Sequence, residues 1–285
     1  MTAASNSVNA REAQRDKEFS FDAAHFNRIR KLIYQHAGIS LHQGKQAMVY
    51  SRVSRRVREL NHGSFSRYLH WLEHVTGAQA EQEWQEFVNC LTTNLTSFFR
   101  EQHHFPLLAA ELIKRRGQHT RIWCNAASTG EEPYSLAMVV RETLGANPDV
   151  TLICTDIDTK VLATAARGVY PAESRGLSPE RLSRHFLRGT GGNAGVIRVK
   201  PDLQRLVEFR ALNLMDARWD LGQPFDIVFC RNVMIYFDKE TQRRVLAGLH
   251  RILSPHGMLF VGHSENYSAA RDLFHLRGKT KYERV

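Results

Sequence analysis

Arg121-Ile122-Trp123-Cys124-Asn125-Ala126-Ala127-Ser128-Thr129-Gly130-Glu131-Glu132-Pro133 decides the fold of this 285-residue chain. The apolar run Arg121–Cys124 reads as a buried strand, and it opens into a turn of small residues. Small side chains let a ligand approach the backbone, and Gly130 permits a turn that other residues resist. Thr129 and Glu132 have capping-box spacing, and Pro133 suits a first helical turn, where its missing N–H loses no partner. Further runs rich in β-branched residues follow at Val150–Cys154, Val207–Phe209, Phe225–Cys230 and Met258–Val261. Helical stretches lie between them at Pro133–Thr143, Lys160–Ala166 and Thr241–Leu253. Strands alternating with helices predict an α/β fold, Rossmann-like, with a mostly parallel sheet covered on both faces. Such sheets bind ligands outside the carboxyl ends of their strands.

The first third of the chain has a different texture. From Phe21 to Leu91 helical periodicity prevails, with Phe26, Ile29, Ile33 and Tyr34 at three- and four-residue spacing and a second run from Gln46 to Leu60. Gly38, Gly44 and Gly63 punctuate these segments. The expected organisation is a flexible polar tail over 1–20, a helical domain over 21–91 and a catalytic domain over 92–285. Within the last, Ser178-Pro179 opens a short helix. Phe186-Leu187-Arg188 and Val196-Ile197-Arg198-Val199 then flank a glycine-rich turn containing Gly189, Gly191, Gly192 and Gly195. This reads as a hairpin in a small antiparallel β-subdomain inserted at about 176–210.

At 42% hydrophobic and 24% charged residues the chain can build a real core. No apolar run approaches the roughly 18 residues that cross a bilayer, so membrane insertion is not expected. Cys90, Cys124, Cys154 and Cys230 sit apart in apolar surroundings without metal spacing, which favours reduced thiols and a cytoplasmic location. The net charge of +10 predicts an acidic partner without choosing among nucleic acid, lipid and protein.

The strand ends carry the chemistry. Neither the dinucleotide fingerprint GxGxxG nor a P-loop is present. Glu131 and Glu132 would oppose a pyrophosphate and suit a locally positive ligand, such as a sulfonium bearing an α-ammonium group. The loop therefore argues for S-adenosylmethionine over NAD. Asp156 lies 26 residues after Gly130, where a ribose-binding carboxylate is expected, and Asp158 is assigned as the cap of the next helix. Asn213-Leu214 supplies an amide and an apolar side chain suited to a purine. Arg231-Asn232 emerges at the fourth strand's end, a pair that packing alone explains poorly. The Asn/Asp-Pro-Pro-aromatic run of nucleic-acid amino-methyltransferases is missing, so nucleic acid is not expected as a partner.

These residues, with Leu91-Thr92-Thr93-Asn94-Leu95-Thr96-Ser97-Phe98-Phe99-Arg100-Glu101, Cys230-Arg231-Asn232-Val233-Met234-Ile235-Tyr236-Phe237 and Gly262-His263-Ser264-Glu265-Asn266, closely resemble the CheR-type chemoreceptor glutamate methyltransferases. The resemblance spans about Phe21 to Tyr282. It implies a class I S-adenosylmethionine-dependent methyltransferase behind a small helical domain. It also implies cofactor contacts at Asn94, Thr96, Arg100, Glu131, Asp156, Asn213, Leu214, Arg231 and Asn232. Arg100 and Tyr236 fall where the family is proposed to position the substrate carboxylate; whether Arg100 meets that group or only the cofactor's carboxylate stays open here.

A glutamate with a pKa near 4.3 is ionised in all but roughly one in 500 molecules at pH 7, so the nucleophile needs no general base. His103 and His104 are read without a metal, since no carboxylate or Cys stands at ligand spacing. On Gln46–Leu60, Val49, Val53, Val57 and Leu60 form one face, and Arg52, Arg55 and Arg56 group opposite, a basic surface for an acidic receptor methylation helix. The hairpin, with Gly189, Gly191, Gly192, Gly195 and Arg198, is expected to take a receptor C-terminal peptide by strand addition, as the family suggests. Nothing in the sequence demands more than a monomer. The rivals are a nucleic-acid methyltransferase and a non-catalytic cofactor-binding module docking on receptors.

Overall fold

The computed structural model describes residues 18–267 and 270–285, so the expected tail lies outside the described residues up to position 17. Two compact units divide the chain between Thr92 and Thr93.

The first unit contains helices α1 (Ala23–Ala37), α2 (Gln46–Glu59), α3 (Phe65–His74) and α4 (Ala78–Leu91). Asp22 caps α1 by accepting the His25 N–H, and Gly38 closes it in the left-handed conformation at φ 69°. Ser64 caps α3 through the Arg67 N–H. Phe26, Ile29 and Ile33 of α1 are buried together with Val49, Val53 and Val57 of α2, while Tyr34 turns outward.

The second unit is built on a seven-stranded sheet. Helix α5 (His104–Lys114) precedes β1 (Thr120–Cys124), α6 (Glu131–Leu144), β2 (Val150–Asp156), α7 (Thr159–Arg167) and β3 (Val169–Pro171). Then come α8 (Pro179–His185), β4 (Phe186–Arg188), β5 (Val196–Val199), α9 (Pro201–Gln204), β6 (Val207–Ala211) and β7 (Phe225–Cys230). Helix α10 (Lys239–Ile252), β8 (Leu253–Val261), β9 (Phe274–Leu276) and β10 (Lys281–Arg284) complete the described elements. The strand order is β6-β2-β1-β7-β8-β10-β9. β6, β2, β1, β7 and β8 are parallel, and β10 runs antiparallel between β8 and β9. Ile122 and Cys124 of β1 belong to one apolar cluster and Trp123 to another, so the sheet is covered on both faces.

The chain steps from β1 to β2 on one side and later places β7 on the other. The crevice beyond the carboxyl ends of β1 and β7 is therefore the topological switch point of the sheet.

A separate three-stranded sheet has the order β3-β5-β4 and is antiparallel throughout. Its bounds differ from the stretch expected at 176–210. Val169–Pro171 supplies a strand from before it, and Val207–Ala211, at its end, belongs to the large sheet beside β2. Three residues of Val-Tyr-Pro type are too few to announce a strand by periodicity, and only pairing with Val196–Arg198 reveals it.

Candidate active site

The loops after β1, β2 and β7 and the segment 93–101 enclose one constellation. Four of the six non-glycine residues with positive φ among the described residues stand in it: Phe99, Glu101, Ser128 and Asn232, at φ 51°, 55°, 49° and 58°. Such conformations persist where the surroundings over-determine them, and they gather at functional sites.

After β1 the chain turns at Ser128 and Gly130. Gly130 has φ 99°, and a Cβ there would lie 2.5 Å from the Tyr170 hydroxyl and 2.8 Å from Ala165. Packing within the protein, together with the positive φ, thus already requires glycine here. The expected capping box is absent: Gly130 is the cap of α6 without a side-chain bond, and the Thr129 hydroxyl donates to Glu131 Oε2 at 2.6 Å. Burial raises the Glu131 carboxyl above its usual range, with the Thr129 hydroxyl opposing.

Asp156, at the end of β2, accepts the Ser128 N–H at 2.8 Å and the Asp158 N–H at 3.0 Å. Burial pushes it up to about 6 despite those bonds. Asp158 caps α7 by accepting from Lys160 and Val161, as expected, and also accepts from the Asn94 amide at 2.8 Å. The Ser128 hydroxyl donates to the Asn94 carbonyl at 3.1 Å, so Asn94 is fastened to the turns after both β1 and β2.

Arg231 follows β7 and turns into the protein. Its side chain is fully buried, donating to Glu132 and to the Arg100 carbonyl and lying 3.3 Å from Glu101. Packing explains it after all: the guanidinium balances two carboxylates that burial would otherwise leave uncompensated. Burial raises Glu132 even so, and Arg231 only opposes it. For Glu101 burial also works upward, but Arg231 and the Asn232 amide together bring it below its usual range.

Asn232 donates through its amide to Glu101 at 3.2 Å. Its backbone N–H donates to Glu265 at 3.0 Å, as do those of Gly262 at 2.7 Å and Met234 at 2.9 Å. Glu265 therefore ties the end of β7 to the end of β8, a role the motif Gly262-His263-Ser264-Glu265-Asn266 contains but periodicity cannot reveal. Burial raises its carboxyl against these backbone donors. The Tyr236 hydroxyl donates to the Thr93 carbonyl at 3.3 Å, and Arg100 Nη1 donates to the Leu95 carbonyl at 2.9 Å. Thr96 lies half-buried on the same segment.

Asn213 follows β6, and its side chain accepts the Met215 N–H at 2.9 Å, closing its own turn; Leu214 beside it is buried. The chain is joined to β2 here by the Leu212 N–H donating to the Asp156 carbonyl at 3.0 Å. Asn94 and Asp156 are thus joined through Ser128 and Asp158, Arg231 is joined to Arg100 directly and to Asn232 through Glu101, and Tyr236 and Arg100 each bond a backbone carbonyl of the 93–95 stretch.

The residues expected to bind substrate lie elsewhere. Arg52 donates to the Leu91 and Thr92 carbonyls, and Arg56 pairs with Glu83, which also accepts from the Tyr68 hydroxyl at 2.8 Å. The three-arginine basic face is therefore corrected: of Arg52, Arg55 and Arg56, only Arg55 is exposed. A 100° wheel assigns faces but cannot see that α4 approaches from the side bearing Arg56. Gly189, Gly191, Gly192, Gly195 and Arg198 belong to the small sheet and its β4–β5 turn. A Cβ on Gly189 would lie 1.9 Å from the Asn193 carbonyl oxygen, so that turn itself requires glycine.

Glu101, His103 and His104 come within ligand distance of one another, so a carboxylate does stand beside the histidines, contrary to the sequence reading. The Arg231 guanidinium 3.3 Å from that carboxylate opposes a second cation, and no metal is assigned. Burial holds His104 neutral, with its pKa lowered to about 3.

The crevice fits S-adenosylmethionine in its donor set. Glu131 is a half-buried carboxylate held by a hydroxyl donor and Asp156 a buried one held by backbone donors, and an ammonium or ribose hydroxyls would complete them.

A family model described as the CheR methyltransferase S-adenosylmethionine-binding domain matches residues 94–283, and one described as the CheR methyltransferase all-alpha domain matches 24–92. A chemotaxis protein methyltransferase of Salmonella typhimurium is 49% identical over 271 residues, covering 94% of this chain and 93% of that protein. Its counterpart from Escherichia coli gives the same identity and coverage. Chemotaxis protein methyltransferase 2 of Pseudomonas aeruginosa is 50% identical over 272 residues, covering 94% of this chain and 95% of that protein.

Proposed function

Because the chain belongs to the CheR methyltransferase family, we propose that it esterifies glutamate side chains of chemoreceptors, with Arg100 and Tyr236 positioning the carboxylate. The observation that carries this reading is a half-buried carboxylate, Glu131, and a buried one, Asp156, beside a segment bearing Arg100 and a tyrosine hydroxyl. S-adenosylmethionine, when bound, supplies an electrophilic methyl group.

The protein's own part is alignment. The substrate arrives ionised, so no base is needed, and holding the reacting atoms in line contributes effective molarities of about 10⁵ M or more. Arg100 offers a planar fork that a carboxylate can meet with two bonds. Too firm a grip would quench the nucleophile, so its role is orientation, with Tyr236 setting the second oxygen. Asn94 and Thr96 face the cofactor from one segment, and Asp156 takes the ribose. Asn213 and Leu214 flank the purine. Glu131 faces the ammonium end. Asn232 completes the rim, while Arg231 acts through Glu132 and the Arg100 backbone.

Arg55 contributes to recognising the acidic methylation helix from the helical unit. β3 and β4 are the outer strands of the small sheet, which supports strand addition of a receptor tail peptide there. The enzyme acts as a monomer in the cytoplasm; no helix among the described residues is long and apolar enough to cross a membrane.

The test is incubation with methyl-labelled S-adenosylmethionine and either receptor cytoplasmic fragments or nucleic acid. Base-labile label on the fragment supports the ester; label on nucleic acid alone overturns it.

A further inference from the structure

Two large apolar side chains stand outward at the candidate active site. Leu95 is 82% exposed, more than any other large apolar residue described, and Ile235 is 51% exposed. Isolated surface apolar residues need no explanation, but the placement of these two does. The Leu95 carbonyl accepts from Arg100 at 2.9 Å, and Ile235 directly precedes Tyr236. The Tyr236 hydroxyl donates to the Thr93 carbonyl at 3.3 Å, so the segments carrying Leu95 and Ile235 touch.

Neither side chain is free to fold back. Residues 93–96 belong to no helix or strand, and their burial alternates, with Thr93 and Leu95 exposed and Asn94 and Thr96 half-buried. Leu95 is thus turned to solvent while Asn94 and Thr96 on either side of it are partly covered. Its backbone is pinned on either side, by the Ser128 hydroxyl on the Asn94 carbonyl and by Arg100. Ile235 sits in a single 3-10 turn between the buried Met234 and Phe237, which hold it outward.

We propose that Leu95 and Ile235 form an apolar collar around Arg100 and Tyr236 that docks an apolar side chain lying one helical turn from the substrate glutamate. The inference rests on the receptor-glutamate reading above and names the neighbour that this site selects. On a helical substrate, residues three or four positions from the glutamate stand beside it on the same face. With the carboxylate at Arg100, such a neighbour falls against the collar. An apolar neighbour gains burial there, and a charged one is desolvated without a partner.

The test compares the wild-type protein with Leu95→Ser, Ile235→Ser and the conservative Leu95→Ile, using methyl-labelled S-adenosylmethionine and a purified receptor cytoplasmic fragment. Each serine variant is expected to raise the KM for the fragment about fivefold or more while kcat stays within about twofold, the pattern of lost uniform binding. Leu95→Ile keeps the wild-type KM. The Kd for S-adenosylmethionine stays unchanged in all three, which also reports an intact fold. An unchanged fragment KM in both serine variants overturns the collar, as does an effect that falls on the cofactor Kd instead. A wild-type protein that binds cofactor yet leaves the fragment unlabelled overturns the receptor reading itself.

Discussion

The Arg231 guanidinium donates to the backbone carbonyl of Arg100, so a buried cation at the end of β7 holds the residue we propose to face the substrate. Its remaining partners are the carboxylates of Glu132 and Glu101.

Removing Arg231 leaves the buried Glu132 without its cation and Glu101 with the Asn232 amide and the His263 N–H. Arg231→Ala is expected to lower unfolding stability by about 3–5 kcal/mol, the cost of breaking a buried pair from one side. Arg231→Lys keeps the charge but loses the planar fork. It should recover part of the stability while kcat remains depressed, because a lysine cannot hold Glu132 and the Arg100 carbonyl together. Urea titration and steady-state kinetics separate the two effects.

Glu265→Gln retains shape but turns an amide NH₂ toward backbone donors that now meet a carboxylate. Three N–H bonds, from Asn232, Met234 and Gly262, depend on it. The variant should lose about 1–3 kcal/mol of stability. Its kcat should fall more than its affinity for S-adenosylmethionine, since the disturbed run leads to Tyr236. Calorimetric cofactor binding beside turnover decides this.

On the proposed site, Asp156 should link pH to cofactor binding. Its folded-state pKa of about 6 lies above the ordinary 3.8, because burial disfavours the charge. The sign follows: its contribution to stability is complete below pH 3.8 and is lost as pH rises through about 6. Cofactor binding runs the other way if ribose hydroxyls donate to the ionised form. The wild-type Kd should then weaken about tenfold from pH 7.5 to pH 5. Asp156→Asn should bind weakly at both values, which isolates Asp156 from Glu131 and Asp158 nearby. Isothermal titration at the two pH values provides the check.

In the helical unit, Arg56 and Arg55 should separate cleanly. Arg56→Ala breaks the pair with Glu83, itself 3% exposed, and should cost about 3 kcal/mol of stability. Arg55→Glu should leave stability within about 0.5 kcal/mol while slowing receptor methylation at low salt. Thermal melts and initial rates distinguish these outcomes.

Much of the architecture could be read from residue patterns. The strands Arg121–Cys124, Val150–Cys154 and Phe225–Cys230 announce themselves because strands buried on both faces are continuous apolar runs. Asp158 was legible as a cap because short-range capping chemistry is local. The contacts that set the site are not local. Arg231 meets Glu132 across 99 positions and Arg100 across 131, and no pattern within one segment encodes such a meeting. The same limit hid Arg56, whose partner lies on another helix, and Val169–Pro171, which is a strand only through pairing. Gly130 was legible as a turn, yet its cause, the Tyr170 hydroxyl and Ala165, required the fold.

The most direct test of the account is methyl transfer by Arg100→Ala, measured as base-labile label on a receptor fragment, with S-adenosylmethionine affinity and melting temperature determined on the same preparation. If Arg100 orients the substrate carboxylate, the variant stays folded, binds cofactor nearly as tightly as the wild type, and transfers less than about one hundredth of the label, the scale of loss expected when alignment fails. Near wild-type labelling would contradict that role outright. Lost labelling that simply follows a lost cofactor affinity would place Arg100 on the cofactor's own carboxylate instead.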